Sequence, residues 1–171
     1  MIITNYEQLM RNHISQIKGF LLDEPKNPNW EFGIRFKYPN KNGRVFMVVK
    51  PKNTTFFEIS NGTRLDPPHQ TAYNKLETKE KKRFIKNLGR LIIMRNFEHA
   101  ININPTNSVF VLIDRIFIEN GIISINNFYK TVKTMFFCTL DCVRYIQERF
   151  GADYDPNKDG FDAGDFEPYV D

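Results

Sequence analysis

The spacing of apolar and polar residues changes several times along the chain, and each change marks an element. Tyr6, Leu9, Met10, Ile14, Ile17 and Leu21 recur at helical spacing, with one apolar face every three to four residues. Thr4 and Glu7 form a capping box ahead of this helix, each able to satisfy a free amide of the first turn. Pro25 and Pro28 are expected to end it,. Trp30, Phe32, Ile34, Phe36 and Tyr38 then alternate with Glu31, Gly33, Arg35 and Lys37, the period of a strand with one buried face. Asn42-Gly43 signals a tight turn,. Residues 44–50 are apolar at nearly every position, through Val45, Phe46, Met47, Val48 and Val49. Such a strand is expected to be central and covered on both faces. Pro51-Lys52-Asn53 turns the chain into a third strand, residues 54–60, which Asn61-Gly62 should close,.

Residues 61–74 read as a loop containing Pro67-Pro68-His69. Asn74 and Glu77 offer a second cap, and Leu76, Phe84, Leu88, Leu91 and Ile92 mark the inward face of a helix reaching about residue 96,. Phe97, His99, Ile101 and Ile103 alternate with polar or small residues as a half-buried strand,. After Pro105-Thr106-Asn107, residues 108–118 form a long apolar strand that ends at Asn120-Gly121,. The last helix runs from near Asn127 to Phe150, with Phe128, Val132, Met135, Phe136, Leu140, Val143 and Ile146 as its core stripe,. The predicted order is α-βββ-α-ββ-α. Short connections favour a five-stranded, mainly antiparallel sheet with three helices on one face. This is an α+β domain over residues 1–150.

Charge divides the chain at that boundary. The 171 residues sum to +4. Residues 151–171 hold seven acids (Asp153, Asp155, Asp159, Asp162, Asp165, Glu167 and Asp171) against Lys158, a net −6, so residues 1–150 carry +10. The acidic tail is expected to be a flexible end, able to fold back on the basic body or to compete with an anionic partner. No apolar run approaches the 18 or so residues of a membrane span, and the first residues lack a basic region followed by an apolar one. Two Asn-x-Thr sequons, at Asn53 and Asn61, carry little weight without a secretion signal,. The only cysteines, Cys138 and Cys142, lie four apart on one helix, a spacing poorly suited to a disulfide. They are expected to be reduced core residues in a cytoplasmic protein.

Candidate chemistry is sparse. The four serines, Ser15, Ser60, Ser108 and Ser124, lie outside any nucleophile elbow, and no glycine-rich phosphate loop is present,. His13 and His99 fall on apolar faces and read as structural; His69, in its loop, has more scope for function, although a lone loop histidine is more often structural or neutral,. Asp155-Pro156-Asn157-Lys158-Asp159-Gly160 matches the first half of a calcium loop, but Phe166 stands where the bidentate glutamate belongs,. Lys75, Lys79, Lys82, Lys86 and Arg90 form a basic row on the second helix, able to neutralise phosphates along a groove but without aromatic residues for base stacking.

The element order resembles that of type III secretion chaperones and their YbjN-like relatives. More closely, the chain resembles an uncharacterised, largely archaeal domain-of-unknown-function family thought to share that fold. Pro28-Asn29-Trp30-Glu31-Phe32, Pro68-His69-Gln70 and Ile118-Glu119-Asn120-Gly121-Ile122 carry the resemblance. The secretion chaperones bind extended client segments, commonly as dimers, and have no catalytic residues, although they are usually acidic where this body is basic. The resemblance therefore implies a non-enzymatic protein-binding or adaptor domain and a homodimer. Catalytic, cofactor and metal residues are expected to be absent. The partner would be an unknown protein or peptide segment, with nucleic acid on the basic second helix as the alternative and no membrane.

Overall fold

In the computed structural model, residues 5–119 and 123–151 are described. Helix α1 spans Tyr6–Gln16, and Asn5 caps it through an Oδ1 that accepts from the Gln8 amide at 3.0 Å. Thr4, half of the expected capping box, lies outside the described residues. The helix stops well before Pro25. Lys18 adopts a left-handed φ of 61°, the Gly19 amide donates to the Ile14 carbonyl at 2.8 Å, and the Lys18 amide donates to Ser15. This double bond pattern satisfies two terminal carbonyls and turns the chain out of the helix.

The segment released by that turn becomes a strand, β1 (Phe20–Asp23), where the helical spacing had implied more helix. Strands β2 (Trp30–Tyr38), β3 (Arg44–Pro51) and β4 (Phe56–Arg64) follow as a meander. Asn42-Gly43 does lie in the β2–β3 turn, where the Gly43 amide donates to Asn40. A Cβ on Gly43 would lie 2.1 Å from the Tyr38 carbonyl oxygen, so the turn requires glycine,.

Asn61-Gly62 does not close β4. The strand runs on to Arg64 because a nine-residue ladder with β6 holds it, from Phe56 opposite Phe117 to Arg64 opposite Val109. Within the expected loop sits helix α2 (Pro67–Asn74), capped by Asp66 with prolines in its first turn, positions that need no amide donor. Helix α3 spans Thr78–Ile93 after Glu77, which makes no side-chain cap bond. Strands β5 (Glu98–Asn102) and β6 (Val109–Phe117) precede helix α4, Ile125–Phe150, which Ser124 caps.

The described residues thus form an α+β fold with four helices and a six-stranded sheet, where three helices and five strands were expected. The strand order is β1-β2-β3-β4-β6-β5, and every neighbouring pair is antiparallel. All four helices supply one core with the inward side chains of the sheet, including Met10 and Ile14 (α1), Tyr73 (α2), Phe84, Leu88 and Ile92 (α3), and Phe128 to Ile146 (α4). The α4 stripe is centred on Cys138, Thr139 and Cys142, each fully buried, while Leu140 is only half-buried.

The alternation of β2 breaks once. A bulge between Trp30 and Phe32 turns Trp30 to the opposite face, where it packs with Met47 and Val49 in a separate cluster,. Ile34, Phe36 and Tyr38 stay in the helix-side core as their period predicted.

Candidate functional site

An apolar sheet edge is the feature that stands out. Strand β1 ends the sheet, paired with β2 on one side only. Its three apolar side chains are open to solvent: Phe20 is 50% exposed, Leu21 40% and Leu22 41%. Edge strands usually carry charge or a cover. The opposite edge does so: β5 presents Glu98 and Asn102, and α3 leans on it with Gly89 against the His99 ring. A methyl group on Gly89 would come within 3.1 Å of His99 Nε2.

Ion pairs anchor the far end of β1. Asp23 pairs with Arg35 of β2, and Arg11 of α1 bridges Glu7 and Glu24. The hydrogen bonds and charge of the Arg35 guanidinium hold the Asp23 carboxyl below its ordinary range despite some burial,. These pairs tie β1 to β2 and to α1, and the backbone groups of β1 that do not bond β2 face away from it,. Phe20-Leu21-Leu22 were absorbed into the first helix when read as sequence. The signal that could have separated them is Lys18-Gly19, a helix stop six residues ahead of the prolines,.

The histidines do not converge. His13 Nε2 lies 2.9 Å from the Ile123 carbonyl, with its ring beside Phe128 inside the core. His69 is buried: Nδ1 is 2.8 Å from Asp66 Oδ1 and Nε2 is 3.1 Å from the Gly151 carbonyl. Both neighbours are oxygen acceptors, so each faces a ring nitrogen of His69,. His69 thereby joins the start of α2 to the end of α4, and it sits in a helix where a loop was expected. Gln70 works similarly, accepting from the Ser108 amide and donating to Asn104 O and Asn74 Oδ1. Two of the residues that carried the family resemblance are thus ties between elements.

Cys138 and Cys142 are free and buried. The hydrogen bond that the Cys142 thiol donates to Cys138, together with burial, pushes the Cys142 thiol far up, so it stays a neutral, unreactive thiol,. Among the described residues, no three His, Cys, Asp or Glu side chains gather as a metal set. The calcium-like segment, residues 155–160, lies outside the described residues.

A cleft of about 410 Å³ opens between the end of α3, β6 and the first half of α4, lined by Arg95, Asp114, Arg115, Lys130 and Thr131 among others. Burial pushes the Asp114 carboxyl up, against the Arg115 amide and the Thr131 hydroxyl, which donate to it. Among the described residues, no serine, cysteine or histidine lines this cleft. Because the folded carboxyl holds its proton more tightly than the unfolded one, ionisation destabilises the fold as pH rises above the ordinary value of 3.8,. Asp114→Asn keeps the accepting oxygen and removes the charge. Its urea midpoint should match the parent near pH 4 and equal or exceed it near pH 7; a clear loss at pH 7 would count against this reading. A second cleft, about 430 Å³, lies between Tyr38 and Tyr129. Burial and the hydrogen bond with Tyr129 push Tyr38 up to about 12, so it serves as a neutral donor.

Lys79, Lys82, Lys86 and Arg90 do share the solvent face of α3, with Lys75 exposed just before it. Glu80 on the same helix pairs with Arg149 of α4 instead of with this row.

With the fold in view, the chain can be set beside known proteins. The model of a family described as "Uncharacterized conserved protein (DUF2299)" matches residues 10–146. The chain belongs to this family. The match takes in every described element except the start of α1 and the last turn of α4. This DUF2299 protein is also similar to a crystal structure of an uncharacterized protein from Methanothermobacter thermautotrophicus, at 21% identity. The likeness covers 85% of this chain and 99% of that one with a TM-score of 0.74, which establishes a shared fold. Among curated proteins no match is found. No helix among the described residues is long and apolar enough to cross a membrane.

Proposed function

We propose that this DUF2299 protein is a non-enzymatic, chaperone-like binding domain that holds an extended segment of a protein partner along β1. The exposed, apolar and ion-pinned β1 edge carries this reading. An added strand would gain main-chain hydrogen bonds from the open side of β1, while Phe20, Leu21 and Leu22 would give it apolar contact. The same edge can pair with its symmetry mate about a two-fold axis, so a homodimer is the expected state without a partner. A cytoplasmic setting suits the two free cysteines,.

The test is fluorescence anisotropy with a panel of labelled extended peptides, each of roughly ten residues with apolar side chains at alternate positions. Leu22→Lys should weaken binding about tenfold or more, because a charge on an edge strand opposes pairing. Leu22 is already exposed, so circular dichroism should show the fold unchanged. Peptides N-methylated at alternate amides should weaken similarly, since the main chain supplies much of the affinity. Unaltered binding in both cases would remove β1 from the mechanism. If peptides are ignored but a short duplex binds with steep salt dependence, the basic face of α3 becomes the site.

A further inference from the structure

The sheet has a second face, and its chemistry is unlike that of an ordinary solvated surface. Val45, Met47 and Val49 of β3 point away from the helix-side core, beside Val109, Val111 and Ile113 of β6, with Ser60 and Gly62 of β4 between them. Strands β3 and β6 are thus apolar on both sides. Such a pattern belongs to strands covered on two faces, yet all four helices pack on one. Met47 and Val49 are buried with Trp30 packed on them, and Val111 is buried as well. Arg35, Lys37, Arg64 and Arg115 project from the same face around this apolar stripe, Arg35 paired with Asp23 and Arg115 with Glu58 and Glu98 of the same face.

We propose that residues 152–171 fold back across this face as a built-in ligand of the same chain. Three observations converge on that segment. It carries −6 against a body of +10, and its acids are interleaved with Tyr154, Phe161, Phe166 and Tyr169. Acidic and aromatic side chains are the complement of an apolar stripe bordered by arginine and lysine. The starting point is also right. Gly151 is held by His69 in the first turn of α2, and α2 begins just past Arg64, where β4 leaves the sheet. Finally, the length suffices: twenty extended residues reach about 65 Å, whereas six strands measure roughly 24 Å across. Docking in cis would shield the apolar stripe and place carboxylates beside the face's cations. This proposal concerns the sheet face and is independent of peptide binding at the β1 edge.

Methionine oxidation of the full-length protein provides the test, because the methionines report different environments. Met47 lies on the face and is 7% exposed, Met94 is 80% exposed, and Met135 lies at 0% in the helix-side core. Hydrogen peroxide is applied to the parent and to a Phe161→Ser/Phe166→Ser variant, and sulfoxide formation is followed by mass spectrometry. In the variant, Met47 should oxidise about tenfold faster, the factor expected when a ten-to-one docking equilibrium is lost. Met94 and Met135 should keep their parental rates, which shows that the body remains folded. Salt near 0.5 M should accelerate Met47 in the parent by screening the charges. Equal Met47 rates in the two proteins would overturn the proposal. So would protection that fades on dilution from about 100 to 1 µM, because a second copy would then be the cover.

Discussion

Replacing Phe128 with alanine is expected to lower the free energy of unfolding by about 3–5 kcal/mol. Phe128 lies on the first turns of α4 with no exposed surface. Its ring is 5.9 Å from that of His13 on α1 and 6.1 Å from that of Phe36 on β2. One side chain therefore links two helices to the sheet, and the cavity it leaves would be walled by rigid aromatic groups that relax poorly. Domains of this kind have roughly 5–15 kcal/mol in total, so the loss is a large share of the whole. At this length the melting temperature should fall by roughly 2–4 °C for each kcal/mol. Phe137→Ala on the same helix is the control, since that ring is 46% exposed and its loss should cost well under half as much. Urea unfolding followed by circular dichroism measures both. Equal midpoints for the two variants would mean that the Phe128 site collapses without penalty.

The second large effect concerns a polar contact inside the core. Asn61 of β4 and Thr139 of α4 are both buried. Asn61 Nδ2 donates to the Val45 carbonyl at 2.6 Å, and the Thr139 hydroxyl lies 2.5 Å from Asn61 Oδ1. The β3–β4 ladder pairs only residues 47–49 with 58–60, so Asn61 takes over where the ladder stops. Thr139→Val should cost about 1–3 kcal/mol, because it leaves a buried carbonyl oxygen without a donor. Asn61→Ala should cost as much or more, since the Val45 carbonyl also loses its partner. The double variant should be less destabilised than the two single losses together, by about 0.5–3 kcal/mol. Strict additivity in urea titrations would show that the two side chains do not act as a pair.

These two residues show what a sequence reading reaches and where it stops. Phe128 was legible because α4 repeats its apolar residues over 26 positions, long enough for the period to stand out. Asn61 was not, since Asn-Gly between strands is the ordinary mark of a turn. Here β6 pairs with that segment along its whole length and keeps it extended. Helix α2 was missed for another reason: eight residues beginning with two prolines show little periodicity. Its helical character comes from the Asp66 cap and from the contacts of His69 and Gln70.

The candidate edge depended on a comparable ambiguity. Phe20, Leu21 and Leu22 are a short apolar run, and such runs fit a helix or a strand equally well until something outside them decides. The Lys18 turn and the pairing of Phe20 and Leu21 with Lys37 and Phe36 decided it. Trp30 likewise changed faces through a single bulge. A side-chain period of two leaves no tolerance for an inserted residue.

By itself the sequence determined the α+β class, the inward faces of the long elements, and the separation of a basic body from an acidic tail. All of these are local, being carried by periodicity, capping residues and net charge within one segment. The tertiary structure alone decided that β6 inserts between β4 and β5, that β1 stands at an open edge, and that the helices leave one sheet face uncovered. Those outcomes depend on which distant segments bury each other's apolar surface, and no window of neighbouring residues contains that information.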